Sequence, residues 1–306
     1  MCENGTSCNI LFLITDHLAL MANMRDKLFD LLLLVSGVGV ILIAGGILYA
    51  LTSESLPAIK EFGLIDFMTS TEWSDRSQSF GALPFITGTL LTSLLALLFC
   101  IPFSLSVALF TGEYFRGKTV ATIVSAIVDL LAGIPSIVYG LWGFYTVRPI
   151  LIMLNVNAQG FGVLLASIVL AIMIIPYASS LSAEFIGMIP RDLKEGAYSL
   201  GATRLEVIRN ISVPVAGSGI FAAYILAFGR ALGETMAVTM LIGNTSGVPL
   251  SLRDTGDTMA SVIANQFGEA SGVKLSALFA IGFLLFLITA LINLIAKGIV
   301  NRINRK

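Results

Sequence analysis

Apolar runs long enough to cross a bilayer alternate along this chain with short polar segments. Six runs qualify, at residues 29–51, 84–111, 120–146, 160–178, 215–243 and 275–297. A helix rising about 1.5 Å per residue needs roughly 20 largely apolar residues to cross about 30 Å of hydrocarbon. Pro102, Pro135 and Pro176 fall inside three of the runs. Each is expected to kink its helix and to leave carbonyls that neighbours must satisfy. The pattern predicts an all-α integral membrane protein with six transmembrane helices, the inner ones kinked.

Composition agrees. The 306 residues are 56% hydrophobic and only 12% charged, where a soluble domain is about a quarter charged. The formal net charge is −1, which gives nucleic acid no electrostatic footprint. One histidine, His17, and three cysteines, Cys2, Cys8 and Cys100, provide neither a metal cluster nor a disulfide framework.

Loop charge sets the expected orientation. With the N-terminus inside, twelve Lys and Arg lie in inner segments and five in outer ones, with Arg230 inside a span. The bias toward the inner side predicts that both termini are cytoplasmic in a multi-pass protein of the cell membrane. The stretch "NILFLITDHLALMA" near the start is short and is broken by Asp16 and His17. It lacks the basic start and small-residue cleavage site of a signal peptide. Residues 1–28 are therefore expected to be a cytoplasmic leader. Residues 29–83 hold the first membrane helix and an extracytoplasmic segment, 84–297 the main domain, and 298–306 a basic tail.

Gly112 to Thr119 reads "GEYFRGKT", which matches the spacing of a nucleotide-binding P-loop. That loop needs a strand before it and a soluble α/β unit around it. Here a whole membrane span precedes it. The expectation is a cytoplasmic turn anchored by Arg116 and Lys118, so any ATP must be bound by another chain.

The segment "EFIGMIPRDLKEGAYSLGATRLEVIRNISVPV" between the fourth and fifth runs carries the densest charge. Leu193, Ala197 and Leu200 recur as one stripe of a short amphipathic helix. Gly201 would stop that helix, and Thr203 with Glu206 would start another through a capping box. By residues alone this is either a projecting helix–turn–helix or a solvated amphipathic loop.

Two charges stand inside the fifth run, Arg230 and Glu234 in "GRALGETMAV". On a continuous helix they would lie one turn apart on one face, with Gly229 and Gly233 on a neighbouring face able to admit another helix closely. The pair either neutralises itself and pins the bundle or marks a substrate path. Asp129, in the third run, either pairs with a basic group or sits at the inner interface. Tyr139 and Trp142 are expected to be packing or interface aromatics.

The polar segment resembles the cytoplasmic signature of ABC importer permeases, E-A-A, three residues, G, nine residues, I-x-L-P. Here Glu195, Gly196, Ala197, Gly201, Ile211, Ser212, Val213 and Pro214 keep that spacing, with Gly196 for Ala and Val213 for Leu. Further blocks resemble the PstC type of phosphate-specific importer permease: "FGLIDFMTSTEWS", "FGALPFITGTLLTSLLALLFCIPFSLSVALF", "LLAGIPSIVYGLWG" and "GRALGETMAVTMLIGN". The resemblance implies a type I importer permease fold with a coupling helix. Glu195, Ala197, Gly201, Ile211 and Pro214 would meet a cytosolic ABC ATPase dimer that holds ATP and Mg, and no cofactor is expected in this chain. It implies two further partners, a homologous permease of the PstA type and an extracytoplasmic phosphate-binding protein that docks on the outer loops. Arg230 would be a transient contact for phosphate, with Glu234 competing for it and Asp129 along the same path. The alternatives are sulfate or another oxyanion as cargo, or an ATP-independent ion-coupled transporter or channel.

Overall fold

A computed structural model describes the backbone of residues 5–303 and the side chains of residues 29–302. The leader expected at 1–28 and residues 303–306 of the basic tail lie outside the described side chains. Two compact units are distinguished, Met1–Ser53 and Glu54–Lys306. The first consists of helix α1, Gly5–Phe62, up to Ser53. α1 runs eleven residues past the predicted end of the first span, because nothing between Leu51 and Phe62 stops it, Pro57 included.

The second unit is almost wholly helical. After α1 come α2 (Leu64–Thr69) and a two-residue hairpin, β1 (Trp73–Ser74) with β2 (Ser79–Phe80). Helices α3 (Leu83–Leu109), α4 (Thr119–Ala132), α5 (Ser136–Trp142), α6 (Arg148–Met153) and α7 (Val163–Gly187) follow. Then come α8 (Arg191–Ser199), α9 (Arg204–Val207), α10 (Val213–Val215), α11 (Gly217–Leu232), α12 (Met236–Leu241), α13 (Met259–Gln266) and α14 (Gly272–Ile303). Wide π turns at Phe110–Tyr114, Gly143–Val147 and Ile208–Ser212 lead from α3, α5 and α9 toward α4, α6 and α10.

Five described helices are long and apolar enough to cross a membrane, at Phe29–Phe62, Leu83–Tyr114, Ser136–Met153, Val163–Gly187 and Gly272–Arg302. Gly217–Leu232 is shorter and follows Arg204–Val215 at a bend of 67°; the two make a sixth candidate only when counted as one broken span. Two predicted spans are discontinuous. The third breaks at Gly133–Pro135, where Pro135 caps α5 instead of kinking one helix. The fifth ends at Leu232 and resumes at Met236. Pro102 and Pro176 stay inside the continuous helices α3 and α7.

α3 and α7 pack along each other and run in the same direction, Thr92 lying beside Ser167 and Gly112 beside Ala183. Ala96, Cys100, Val169, Leu170, Met173 and Ile174 belong to the central core, joined by Ala227 and Ala231 of α11 and Leu241 of α12. At the Leu83 end, Phe67, Phe80, Phe85, Met259 and Leu278 form a second core under the hairpin. Trp73 stacks edge-on against Phe80 and Phe85 there and donates to Gln266 at 3.0 Å. At the Leu109 end, Ala108, Ile186, Ala216 and Ile220 form a third.

Candidate translocation site and coupling loop

The breaks in the third and fifth spans lie side by side, because α5 packs on α12. The close approach is made by Gly140 of α5 and by Gly143, which opens the π turn after it. A Cβ on Gly140 would stand 3.1 Å from the Ala237 backbone, and one on Gly143 would meet Val169 and Leu241. The packing predicted for Gly229 and Gly233 is not made among the described residues. Nothing approaches Gly229 within 4 Å, and Gly233 meets only the Gly229 carbonyl at 3.9 Å. Gly140 and Gly143 were legible as small residues three apart, but the Pro135 break that lets them face α12 was not.

A helix broken before a proline leaves carbonyls without donors. Here tyrosines add donors, beside the Ile134 N–H that reaches the Leu131 carbonyl at 3.2 Å. The Tyr139 hydroxyl donates to the Leu131 carbonyl and the Tyr177 hydroxyl to the Ala132 carbonyl, each at 2.9 Å. Tyr139 is thus more than a packing aromatic. Tyr177, which sequence reasoning passed over, also carries Arg230: the guanidinium carbon lies 4.1 Å from its ring centroid. A cation over an aromatic face is held electrostatically while its N–H groups stay free.

Arg230 and Glu234 do not share one helix face, since α11 stops between them. Arg230 occupies the last turn of α11, and Glu234 lies in the break and accepts from the Ala237 N–H at 3.3 Å. The ion pairs among the described residues are Lys194–Glu113 and Lys274–Asp75, so these two charges are not joined. Each suits its helix end. The C-terminus of α11 is the negative end of its dipole and the N-terminus of α12 the positive end of its own. Arg230 is exposed within this chain and Glu234 half-buried.

Asp129, one turn before the α4 break, is not brought to Arg230. Its Oδ1 accepts from the Ser180 hydroxyl at 3.5 Å, at a cavity of about 210 Å³ that Ser125 and Ser179 also line.

The polar segment between α7 and α11 is a projecting helix–turn–helix. α8 closes as Leu200 and Ala202 donate to the Ala197 carbonyl, and Gly201 turns the chain with φ +86°. The capping box forms as the sequence predicts, with Glu206 N–H donating to the Thr203 hydroxyl and the Glu206 carboxylate accepting from Thr203. Glu195 and Pro214 are exposed; Ala197 and Ile211 are half-buried. The stripe of Leu193 and Leu200 faces outward, Leu200 being 91% exposed.

"GEYFRGKT" follows the long helix α3 rather than a strand. Its Gly112 is buried against α7, where a Cβ would stand 2.7 Å from the Ala183 carbonyl oxygen. That geometry leaves no phosphate cradle.

Comparison with known proteins agrees with this architecture. The Phosphate transport system permease protein PstC of Mesorhizobium japonicum is 37% identical over 303 residues, covering 92% of this chain and 92% of its own. The protein of that description from Xylella fastidiosa is 40% identical over 261 residues, covering 79% of this chain and 80% of its own. A solved bacterial alginate ABC transporter, in complex with a periplasmic protein bound to an alginate pentasaccharide, superposes with a TM-score of 0.65 at 21% identity. That match covers 91% of this chain and 97% of the other and shows the shared fold. Residues 101–306 match the family model for the binding-protein-dependent transport system inner membrane component. With its broken spans and projecting loop, the chain belongs to that family of ABC importer permeases.

Proposed function

We propose that this chain is one membrane subunit of an ATP-driven importer of inorganic phosphate. Relatives named as phosphate transport permeases over most of their length support the cargo. The carrying observation is Arg230 on the Tyr177 ring at the mouth of two adjoining helix breaks. Its guanidinium is positive, held from behind and unpaired by Glu234, which suits a contact that an oxyanion makes and leaves.

ATP and Mg belong to a separate ATPase dimer, and this chain needs no cofactor of its own. The projecting loop around Glu195, Ala197 and Gly201, with Ile211 and Pro214 at its return, meets that ATPase. A phosphate-loaded binding protein docks on the outer loops, which include residues 52–83 and 244–274. Both termini are cytoplasmic in this reading. A homologous permease of the PstA type supplies the other half of the path, with the open face of Gly229 and Gly233 toward one of its helices. Glu234 holds the fifth-span break by capping Ala237. Asp129, past the other break, repels an anion lingering on the inner side.

The test is ATP-driven uptake by the reconstituted complex, with binding protein loaded with phosphate or with sulfate. Phosphate is expected to accumulate and sulfate not; the reverse would overturn the cargo. Arg230→Ala is expected to lower phosphate uptake by roughly tenfold or more, the loss of one charge-assisted contact, with the chain still inserted and assembled. Uptake at the wild-type rate would remove Arg230 from the path.

A further inference from the structure

The turn that mimics a P-loop has another use. Glu113 and Tyr114 stand in the π turn at the end of α3. Glu113 accepts from Lys194 of α8, and both side chains are largely enclosed, 9% and 12% exposed. Tyr114 carries the Arg204 guanidinium, 5.0 Å from its ring centroid, and Arg204 is the first residue of α9. The two helices on either side of the Gly201 turn therefore grip the same turn of α3. Lys194 directly precedes Glu195, yet it points inward to α3 while Glu195 is exposed. Gly112 is packed on the Ala183 backbone, so the turn is also seated on α7. Further along α3, Ser104 and the carbonyl of Ile101 meet the Tyr224 hydroxyl of α11, each at 3.2 Å.

We propose that Glu113 and Tyr114 are the joint by which displacement of the projecting loop is passed to α3, and from α3 to α11 with its Arg230. This rests on the importer reading. An enclosed ion pair resists separation, because parting it would leave a charge without its partner in a poorly solvated place. A cation held on a ring adds a second, softer tether. These are positioning residues: none touches cargo or nucleotide.

The experiment reconstitutes the complete complex in vesicles and measures phosphate taken up per ATP hydrolysed, with thermal stability followed alongside. Glu113→Gln and Lys194→Met are each expected to lower that ratio by roughly fivefold or more, the scale of an ordinary coupling free energy, while ATP hydrolysis stays near its wild-type rate. Reversing both charges, Glu113→Lys with Lys194→Glu, is expected to recover most of it. An unchanged ratio in the single variants, or a reversed pair no better than either single, would overturn the joint. Where a charge variant does not assemble, Tyr114→Leu keeps the bulk, removes the ring, and is judged by the same ratio. Failure of the cargo reading is distinct: wild-type vesicles would then hydrolyse ATP without accumulating phosphate.

Discussion

Asp257 is a carboxyl with almost no water, 3% exposed beside Gly88 of α3. Burial pushes its pKa up to about 6, against the opposing pull of hydrogen bonds from the Ser261 hydroxyl and the Thr258 N–H. The folded chain therefore holds this proton more tightly than the unfolded chain does. The resulting stabilisation is complete below about pH 4 and is lost as pH rises through about 6, by at most about 3 kcal/mol. Asp257→Asn keeps an acceptor and removes the titration. Its melting temperature is expected to lose the fall between pH 4 and 6 that the wild-type chain shows; melting curves in detergent across that range check it, and an unchanged slope would refute the assignment. At this scale the sequence disclosed the cost of Arg230 and Glu234 but not their partners. Gly233 and Thr235 are stop and start residues, yet within an apolar run they are outweighed by the hydropathy on both sides. Tyr177 carried no signal, since its partners, Ala132 and Arg230, lie 45 and 53 residues away.

At the scale of elements, packing separates glycines that look alike. A methyl on Gly88 would stand 2.0 Å from the Asp257 carbonyl oxygen, a backbone atom fixed by α13. Gly88→Ala is expected to cost about 3 kcal/mol or more, the upper range for overpacking, read as a drop in folded yield and melting temperature. Gly229→Ala meets nothing within 4 Å and is expected to leave the melting temperature of the isolated chain unchanged. By the proposed assembly it would instead weaken co-purification with the second permease. The continuous helices α3, α7 and α14 were legible from length and hydropathy. The broken third and fifth spans were not, because hydropathy measures whether a stretch avoids water and not whether its axis is straight. The local structure of the projecting loop was legible nearly residue by residue, because capping boxes and glycine stops act through neighbours in sequence, which a reader of one chain can see.

For the whole molecule, the division between buried bundle and exposed loop decides what assembles. Leu193, Leu200 and Leu205 stay exposed on a polar projection, an apolar surface that a partner would cover. Leu200→Asp is expected to leave the fold intact and to weaken ATPase binding by roughly thirtyfold or more, as for a buried anchor of an interface. Co-purification of the ATPase with unchanged membrane yield of the permease checks this, and undiminished binding would place the contact elsewhere. The expected orientation rests on loop charge alone, which reads only the asymmetry of short segments and not where any residue sits in depth.

Around the paired breaks, hydroxyl hydrogens are already engaged. Tyr139 and Tyr177 donate to Leu131 and Ala132, Thr235 to Gly233 and Thr239 to Thr235. An oxyanion arriving there would find the guanidinium of Arg230 ready and these neighbours spent on carbonyls. Its dwell time at this point would be short, since one charge-assisted contact does not replace the several hydrogen bonds an anion has in water. Under the proposed reading such a passage suits throughput, because the crossing itself would be a brief touch.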